Sequence, residues 1–548
     1  VLGWQSAGSG GNQRSDSLLE SLNFESIVVS ADEWEDHEAE NRSRIGEVFV
    51  ISRSSWKPGS TSGPAKPLAS GMAQRIDAGM DLSPSIQLRI GMSKDRWEPV
   101  HFRRSDAWVG FEKMRGFLSY GRPGILMVAG DYRINHGYRL ASGSRIIQTM
   151  SATGVLRQPS VLSRVSGYAG LSGVPVRRGV LAQYRGVVSG SVFVSRVRVP
   201  AGSSSENDIS LTSAFTSESS IARRNQLTVR SYGLAVSIDK ERMQVAVFVE
   251  RLDLARRETG SRLAERTILS LAQSFSSGPF RVVYEIRTSD FHQTDVRSSI
   301  HSSLGSAGRL IIDSTLLNGP EGSVFGSDTR FIRSFTRRRA FTIAWLHDPS
   351  PWLRVSAGLM TERTRPDPTL FPHFDHGVFV GARSRFNPNI VLKATISARG
   401  SEEPLLSTQR QKSVRARLTA TYTPDSRTSI SLEIQSHSKS SSISQSGESL
   451  LVKTAVTRTF TRFSLASGIV VVHNEGQKAP VYFSEQVVSG AFPVVSRSDS
   501  GAQHSFRVRT ETMGPWQFEA AYSTGSAVGS NQKRKTATVL LSYSARAR

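Results

Sequence analysis

Cysteine is absent from all 548 residues. That excludes a disulfide framework, a thiol nucleophile and any cysteine-based metal site. No run of 18 or more apolar residues occurs, so no transmembrane helix is indicated. Hydrophobic residues make up only 38% of the chain, which is modest for a large globular core. Acidic residues are the minority charge: 46 Asp and Glu stand against 69 Lys and Arg, for a net charge of +23 and a pI near 10.7. Such a balance attracts anions; alternatively, basic side chains line loops and a wet interior. The opening VLGWQSAGSGGNQ lacks a basic n-region and an apolar core, so the chain is expected to be either the product of leader removal or a fragment. A Gly-x-Ser-x-Gly elbow is also missing, and no enzyme is expected.

What is present is alternation. In Ser413–Gln435, Val414, Ala416, Leu418, Ala420 and Tyr422 fall on one face, and Arg415, Arg417, Thr419 and Thr421 on the other. After Pro424-Asp425-Ser426, Ile430, Leu432 and Ile434 alternate with Ser431, Glu433 and Gln435. Period two means a strand with unlike faces. The pattern recurs at Ile86–Arg96, Met243–Leu252, Phe280–Arg287 and Thr536–Ala547. Residues 134–177 are irregular, and a long loop or an inward-folded segment is expected there.

The connections sort into two kinds. Tight turns are expected at Ser83–Ser85, Gly121–Gly124, Asp348–Pro351, Phe386–Asn389, Pro424–Arg427, Phe460-Thr461 and Met513–Pro515, where Pro, Asn, Asp and Gly concentrate. Longer polar loops are expected at Arg363–His376, Gly400–Lys412, His437–Glu448, Asn474–Gln503 and Thr524–Lys535, in strict alternation with the turns. A soluble sandwich has no reason to sort its loops this way. An outer-membrane barrel has short periplasmic turns and long external loops. The expected fold is therefore all-β: a large antiparallel up-and-down transmembrane β-barrel of roughly 20–24 strands over residues 45–548. Residues 1–44, with the acidic run Asp32–Glu40, are expected to be a flexible tail or a partial plug.

Within Ile125–Leu140, the order Gly130, Asp131, Tyr132, Arg133, Asn135, His136, Gly137 resembles a family of outer-membrane barrels from Bacteroidetes-like bacteria. Members usually carry helix-hairpin-helix repeats near the N-terminus. Ala78–Asp81, Asp95–Pro99, Thr216–Asn225, Ala479–Ser489 and Phe506–Thr510 extend the resemblance in order along the chain. It implies an outer-membrane barrel and no known reaction. No helix-hairpin-helix signature precedes residue 45, so no DNA-binding role is carried over. The chain ends in Ala547-Arg548 rather than an aromatic residue, with Tyr543 nearby. Gly130, Asp131, Tyr132, Arg133 and Gly137 are expected to act structurally, with an interior Asp131–Arg133 pair.

Candidate chemistry is sparse. His373, Asp375 and His376 have metal-ligand types but are expected in an external loop without support, so no metal or cofactor is expected. The polar faces carry Arg89, Arg281, Arg287, Lys393, Arg399, Arg415, Arg417, Arg507 and Arg509, with Glu285, Glu433, Glu511 and Glu519 as counter-charges. If these faces line the lumen, rings of basic side chains favour anions; a salt-bridged, closed interior is the alternative. Trp345, Trp352 and Trp516 sit near tight turns, where girdle aromatics belong. Two functions are thus expected of a bacterial outer-membrane protein in contact with lipid. One is a channel or translocation pore for anionic solutes or polymers. The other is a closed structural barrel that docks periplasmic or envelope proteins.

Overall fold

The computed structural model describes residues 47–56, 72–94, 113–137, 161–169, 176–199, 226–256, 259–290, 293–318, 337–365, 373–403, 409–441, 446–476, 481–484, 494–497, 500–510, 516–527 and 533–546. Among these, 25 strands hydrogen-bond into one antiparallel sheet. One of them, Arg164–Gly167, is a four-residue piece laid against the end of Ile125–Asn135. The remaining 24 form a closed ring. Closure is made by the first and last strands, paired continuously from Glu47↔Arg546 to Trp56↔Ala537. It is a physical requirement as well, because an open edge in hydrocarbon leaves backbone N–H and C=O groups unpaired.

Alternation assigns the faces. Val414, Leu418, Tyr422, Ile430 and Leu432 are exposed, while Glu433 and His437, of the opposite parity, are buried. The same rule holds around the ring: Val192 and Val194 flank buried Phe193, and Ile469 and Val471 flank buried Val470. A closed ring encloses one face only, so the exposed apolar face is the outer one. Such a surface is stable only in lipid, and the protein belongs to the bacterial outer membrane.

One end of the barrel carries tight connections, such as 84–85, 123–124, 241–242, 278–279 and 426–427. The other carries the long ones, including 57–71, 95–112, 200–226 and 318–336. Alternation is not strict: at the long-loop end, 257–261, 404–408, 442–446 and 528–532 are no longer than 304–308 at the other end, and the strands Phe280–Ser289 and Gln293–Ser303 are separated only by residues 290–292. Asp290, with φ 51°, accepts the Thr267 N–H at 2.7 Å there and ties off the corner. Several strands also outrun the expected ten residues. Gln409–Asp425 has 17, and the expected loops at 363–376, 400–412 and 437–448 shrink accordingly. Aromatic side chains gather at the tight-turn end: Trp352 stacks on Phe386 with centroids 5.8 Å apart, and Phe460 on Phe463 at 4.6 Å. Trp516 is exposed at the same end. This is where an interfacial girdle forms. The segment 1–44, Glu511 and the Met513–Pro515 turn lie outside the described residues.

Candidate functional site: two unlike inner walls

The inner face is not uniform. From residue 113 to 318 it is covered. The cover begins where Ile125–Asn135 parts from its neighbour Lys113–Arg122, whose ladder with it stops at Phe117↔Gly130. On the other side, Arg177–Tyr184 pairs with it up to Tyr132↔Arg177, and with the next strand Val188–Val199 only as far as Gly179↔Ser195. Gly130 and Gly179 are direct partners at this level, and Gly116 adjoins them. Gly130 has φ +105°, and a Cβ on it would collide with the Gly116 carbonyl oxygen. A Cβ on Gly179 would collide with the Val194 carbonyl oxygen. Only glycine permits backbones this close.

The residues after Gly130 satisfy the backbone groups that the parting strands leave. The buried Asp131 carboxylate accepts the Gly116 N–H at 2.8 Å. The Tyr132 hydroxyl donates to the Val194 carbonyl at 3.0 Å. Asp131 is held by Arg178, at 2.8 and 2.9 Å, rather than by Arg133 as the sequence suggested. Asp131 and Arg133 share the outward parity of Met127, which is exposed, whereas Tyr132 points inward with Val128. Arg133 instead lies over the Tyr168 ring, 3.4 Å from its centroid.

Beyond this point the chain lies against the inside of the wall. Tyr132, Ile134 and Val165 pack with the inward-facing Leu181, Phe193, Phe248 and Ile268. Val161 packs on Ala246, Ala272 and Val283. The His136 ring sits 5.4 Å from Phe248, with Nδ1 2.9 Å from the Ser163 hydroxyl. Burial pushes its pKa down to about 3, so the ring is neutral. Gly137 has φ +53°, and a Cβ on it would lie 2.7 Å from both the Ala272 methyl and a Glu285 carboxylate oxygen. Of the two expectations for residues 134–177, the described parts follow the inward-folded one.

Two inner ion pairs on this side are buried. Arg177 grips Glu250 through Nε at 3.1 Å and Nη2 at 2.9 Å to each oxygen, both side chains being buried. Ser270 donates to Glu285 at 2.7 Å, and Arg287 pairs with Asp295. Arg281 faces His301 across the ladder.

From residue 337 to 441 the inner face is more open. Arg354, Arg383, Lys393 and Thr419 follow one another in register across four strands. Arg383 and Lys393 are exposed although they point inward. Arg417 reaches Glu433 at 2.7 Å, yet 52% of its side chain is exposed while Glu433 is buried. Arg415 and Arg399 share its inward parity. Farther round, a short hairpin, Val481–Ser484 with Val494–Arg497, seats Val481 on Leu451, Val470 and Val472. Arg507 approaches Glu519 at 3.7 Å, and Arg509 lies opposite Glu519 in register. Near the closure, Arg89 pairs with Asp81 at 2.6 Å and lies over Phe49. All nine basic residues read from the sequence therefore project inward, but they are spread around the ring and several are neutralised by carboxylates. Arg177, Glu250, Arg383 and the His136–Ser163 contact were not singled out from sequence.

His373, Asp375 and His376 are on a strand, His373–Asn387, not in a loop. Successive strand residues alternate, so His376 faces opposite to the other two. Among the described residues no group of three or more such side chains could hold a metal ion.

No family model and no curated protein matches the chain, so the resemblance to the helix-hairpin-helix-associated barrels finds no support there. Solved structures match in fold. A structure described as the copper transporter OprC is 10% identical, with 92% of this chain and 81% of that chain covered and a TM-score of 0.44. The P pilus usher PapC translocation pore is 10% identical, with coverages of 92% and 100% and a TM-score of 0.37. The siderophore receptor PirA from Pseudomonas aeruginosa is 8% identical, with coverages of 92% and 81% and a TM-score of 0.42. The barrel assignment rests on this chain's own closed ladder.

Proposed function

We propose that the protein is an outer-membrane channel or translocation barrel whose inner face favours anionic solutes or polymers. The observation that carries this reading is the pair of exposed inward side chains Arg383 and Lys393, in register beside Arg354, which Asp348 holds at 2.6 Å, and joined by Arg417 on the next strand. Exposed guanidinium and ammonium groups on a pore wall raise the local concentration of anions. Arg89, Arg281, Arg287, Arg399, Arg415, Arg507 and Arg509 add to the same field, each discounted by its carboxylate neighbours. In planar bilayers under a KCl gradient, the reversal potential should report anion preference. Lys393→Glu with Arg417→Glu should move it toward cations. Zero current at every voltage, with and without residues 1–44, would sink the channel.

The covered wall favours a second reading: a barrel without an open pore, whose ends dock periplasmic or envelope proteins. A closed current together with co-purification of an envelope protein would select it. The family resemblance around Gly130-Asp131-Tyr132 is compatible with either reading, since it implies a barrel and no reaction.

A further inference from the structure

The outer face is apolar over the middle of the barrel and charged in places at the long-loop end: exposed Arg339 and Arg363 are partners in one such place, and another spans four adjacent strands. These strands are Val188–Val199, Leu227–Lys240, Met243–Arg256 and Arg262–Ser277. Arg196, Arg230, Asp253 and Glu265 are successive cross-strand partners in one row. They share outward parity with exposed Val192, Val194, Tyr232 and Leu234. A parallel row nearer the barrel centre, Val192, Leu234, Val249 and Leu269, is wholly apolar. The charged row lies above the lipid-facing band, and the row between them already holds Arg251 and Thr267 beside Val194 and Tyr232.

Its charges do not cancel. Arg262 bonds Asp253 at 2.8 Å and Glu265 at 2.5 Å, and Arg251 pairs with Glu265. The two carboxylates are thus engaged by two guanidiniums. Exposed Arg196 and Arg230 face each other directly. Like charges directly opposite on a sheet repel, and an anion placed between them removes the penalty. The planar guanidinium fork matches phosphate oxygens in pairs.

We propose that Arg196 and Arg230 form a site on the lipid-facing surface for the phosphate groups of an outer-leaflet lipid headgroup. Long loops face the exterior in outer-membrane barrels, so this row lies at the headgroup level of the outer leaflet. The acyl chains of the same lipid then lie along Val192, Val194 and Leu234. The site is on the opposite face of the wall from the proposed pore and is independent of whether that pore conducts.

The test is native mass spectrometry of the full chain in detergent, titrated with diphosphoryl lipid A, its dephosphorylated form and inorganic pyrophosphate. Diphosphoryl lipid A should bind, and the dephosphorylated lipid should bind far less. Replacing two arginines, Arg196→Gln with Arg230→Gln, should weaken binding roughly thirtyfold, as expected for two lost basic contacts. Arg196→Lys with Arg230→Lys should recover much of the loss. Heat-modifiable gel migration checks that each variant is folded. Equal binding by the folded glutamine variant, or by the dephosphorylated lipid, overturns the site. Displacement of the lipid by equimolar pyrophosphate also overturns it, because the site would then serve free phosphate.

Discussion

The covered wall between residues 113 and 318 and the more open wall between 337 and 441 are built on the same strand ladder and present similar outer faces. Their inner faces differ in what lies on them. On the covered side, apolar side chains such as Phe193 and Phe248 point inward and are buried by Tyr132, Ile134 and Val165. The most buried charges there form closed pairs, Arg177–Glu250 and Arg287–Asp295. On the open side, Arg383, Lys393 and Arg417 keep contact with solvent. The lesson is that burial decides what a charge on the inner face does. The same guanidinium is a structural bolt under a cover and a free electrostatic element without one.

The largest test of this contrast is Glu250→Ala. It takes the carboxylate away from buried Arg177, and should cost about 3–5 kcal/mol. The expected reading is a loss of the folded, heat-modifiable band at moderate temperature. A variant as stable as the parent would mean that water reaches Arg177 and that the wall is not covered.

The outer faces should not distinguish the two sides. Leu418→Arg on the open side and Val192→Arg on the covered side should each cost about 2–4 kcal/mol if the residue sits near the bilayer midplane. Thr419→Arg, one residue along and facing inward, should be tolerated. Folding efficiency into vesicles measures all three. Equal tolerance of Leu418→Arg and Thr419→Arg would reverse or abolish the face assignment.

Much of this was legible in the sequence, and the reasons differ by element. Strands and faces follow from period-two alternation, because lipid outside and polar contents inside impose it on every strand. Tight turns follow from Pro, Asn, Asp and Gly. The ends of strands were less legible: His373–His376 looks like a loop by composition, yet the ladder continues through it, since backbone pairing does not stop where polarity rises. The cover was visible only as a break in regularity. Its partners were out of reach, because Arg177 and Glu250 are 73 residues apart and Arg178 and Asp131 are 47 apart. One clue was present: in Val192-Phe193-Val194 both faces are apolar, which marks a strand buried on both sides.

The cover itself can be loosened in graded ways. Gly130→Val places a branched side chain at φ +105° and against the Gly116 carbonyl, a strain of about 1–3 kcal/mol. Since the chain lacks cysteine, Val161→Cys gives a single label site. The introduced thiol should resist maleimide in the otherwise unchanged chain and react once Gly130 is replaced. Acid should act in the same direction. The His136 pKa falls from 6.5 to about 3 on docking, so the docked form excludes a proton that the undocked form accepts below pH 6.5. Docking should be unaffected above that pH and weaken by about 1.4 kcal/mol per unit below it. Maleimide labelling of the Val161→Cys variant, taken relative to a solvent-exposed single-cysteine variant at the same pH because only the thiolate reacts, should rise as pH falls from 6.5, and His136→Gln should flatten the rise. A flat profile with His136 in place would show that the ring stays docked when charged.

The smallest expected effect is the mirror image of the first. Arg417→Ala removes one partner of a carboxylate, as Glu250→Ala removes the partner of a guanidinium, and a reading from contacts alone would rank the two alike. Glu433, however, also has Lys453 at 3.9 Å, and half of the Arg417 side chain is solvated. Loss of such a pair costs about 0–1 kcal/mol. Stability should therefore hardly change, while the reversal potential in bilayers moves toward cations. A large loss of stability would mean that the wall at 337–441 is as dry as its counterpart, and the contrast between the two walls would collapse.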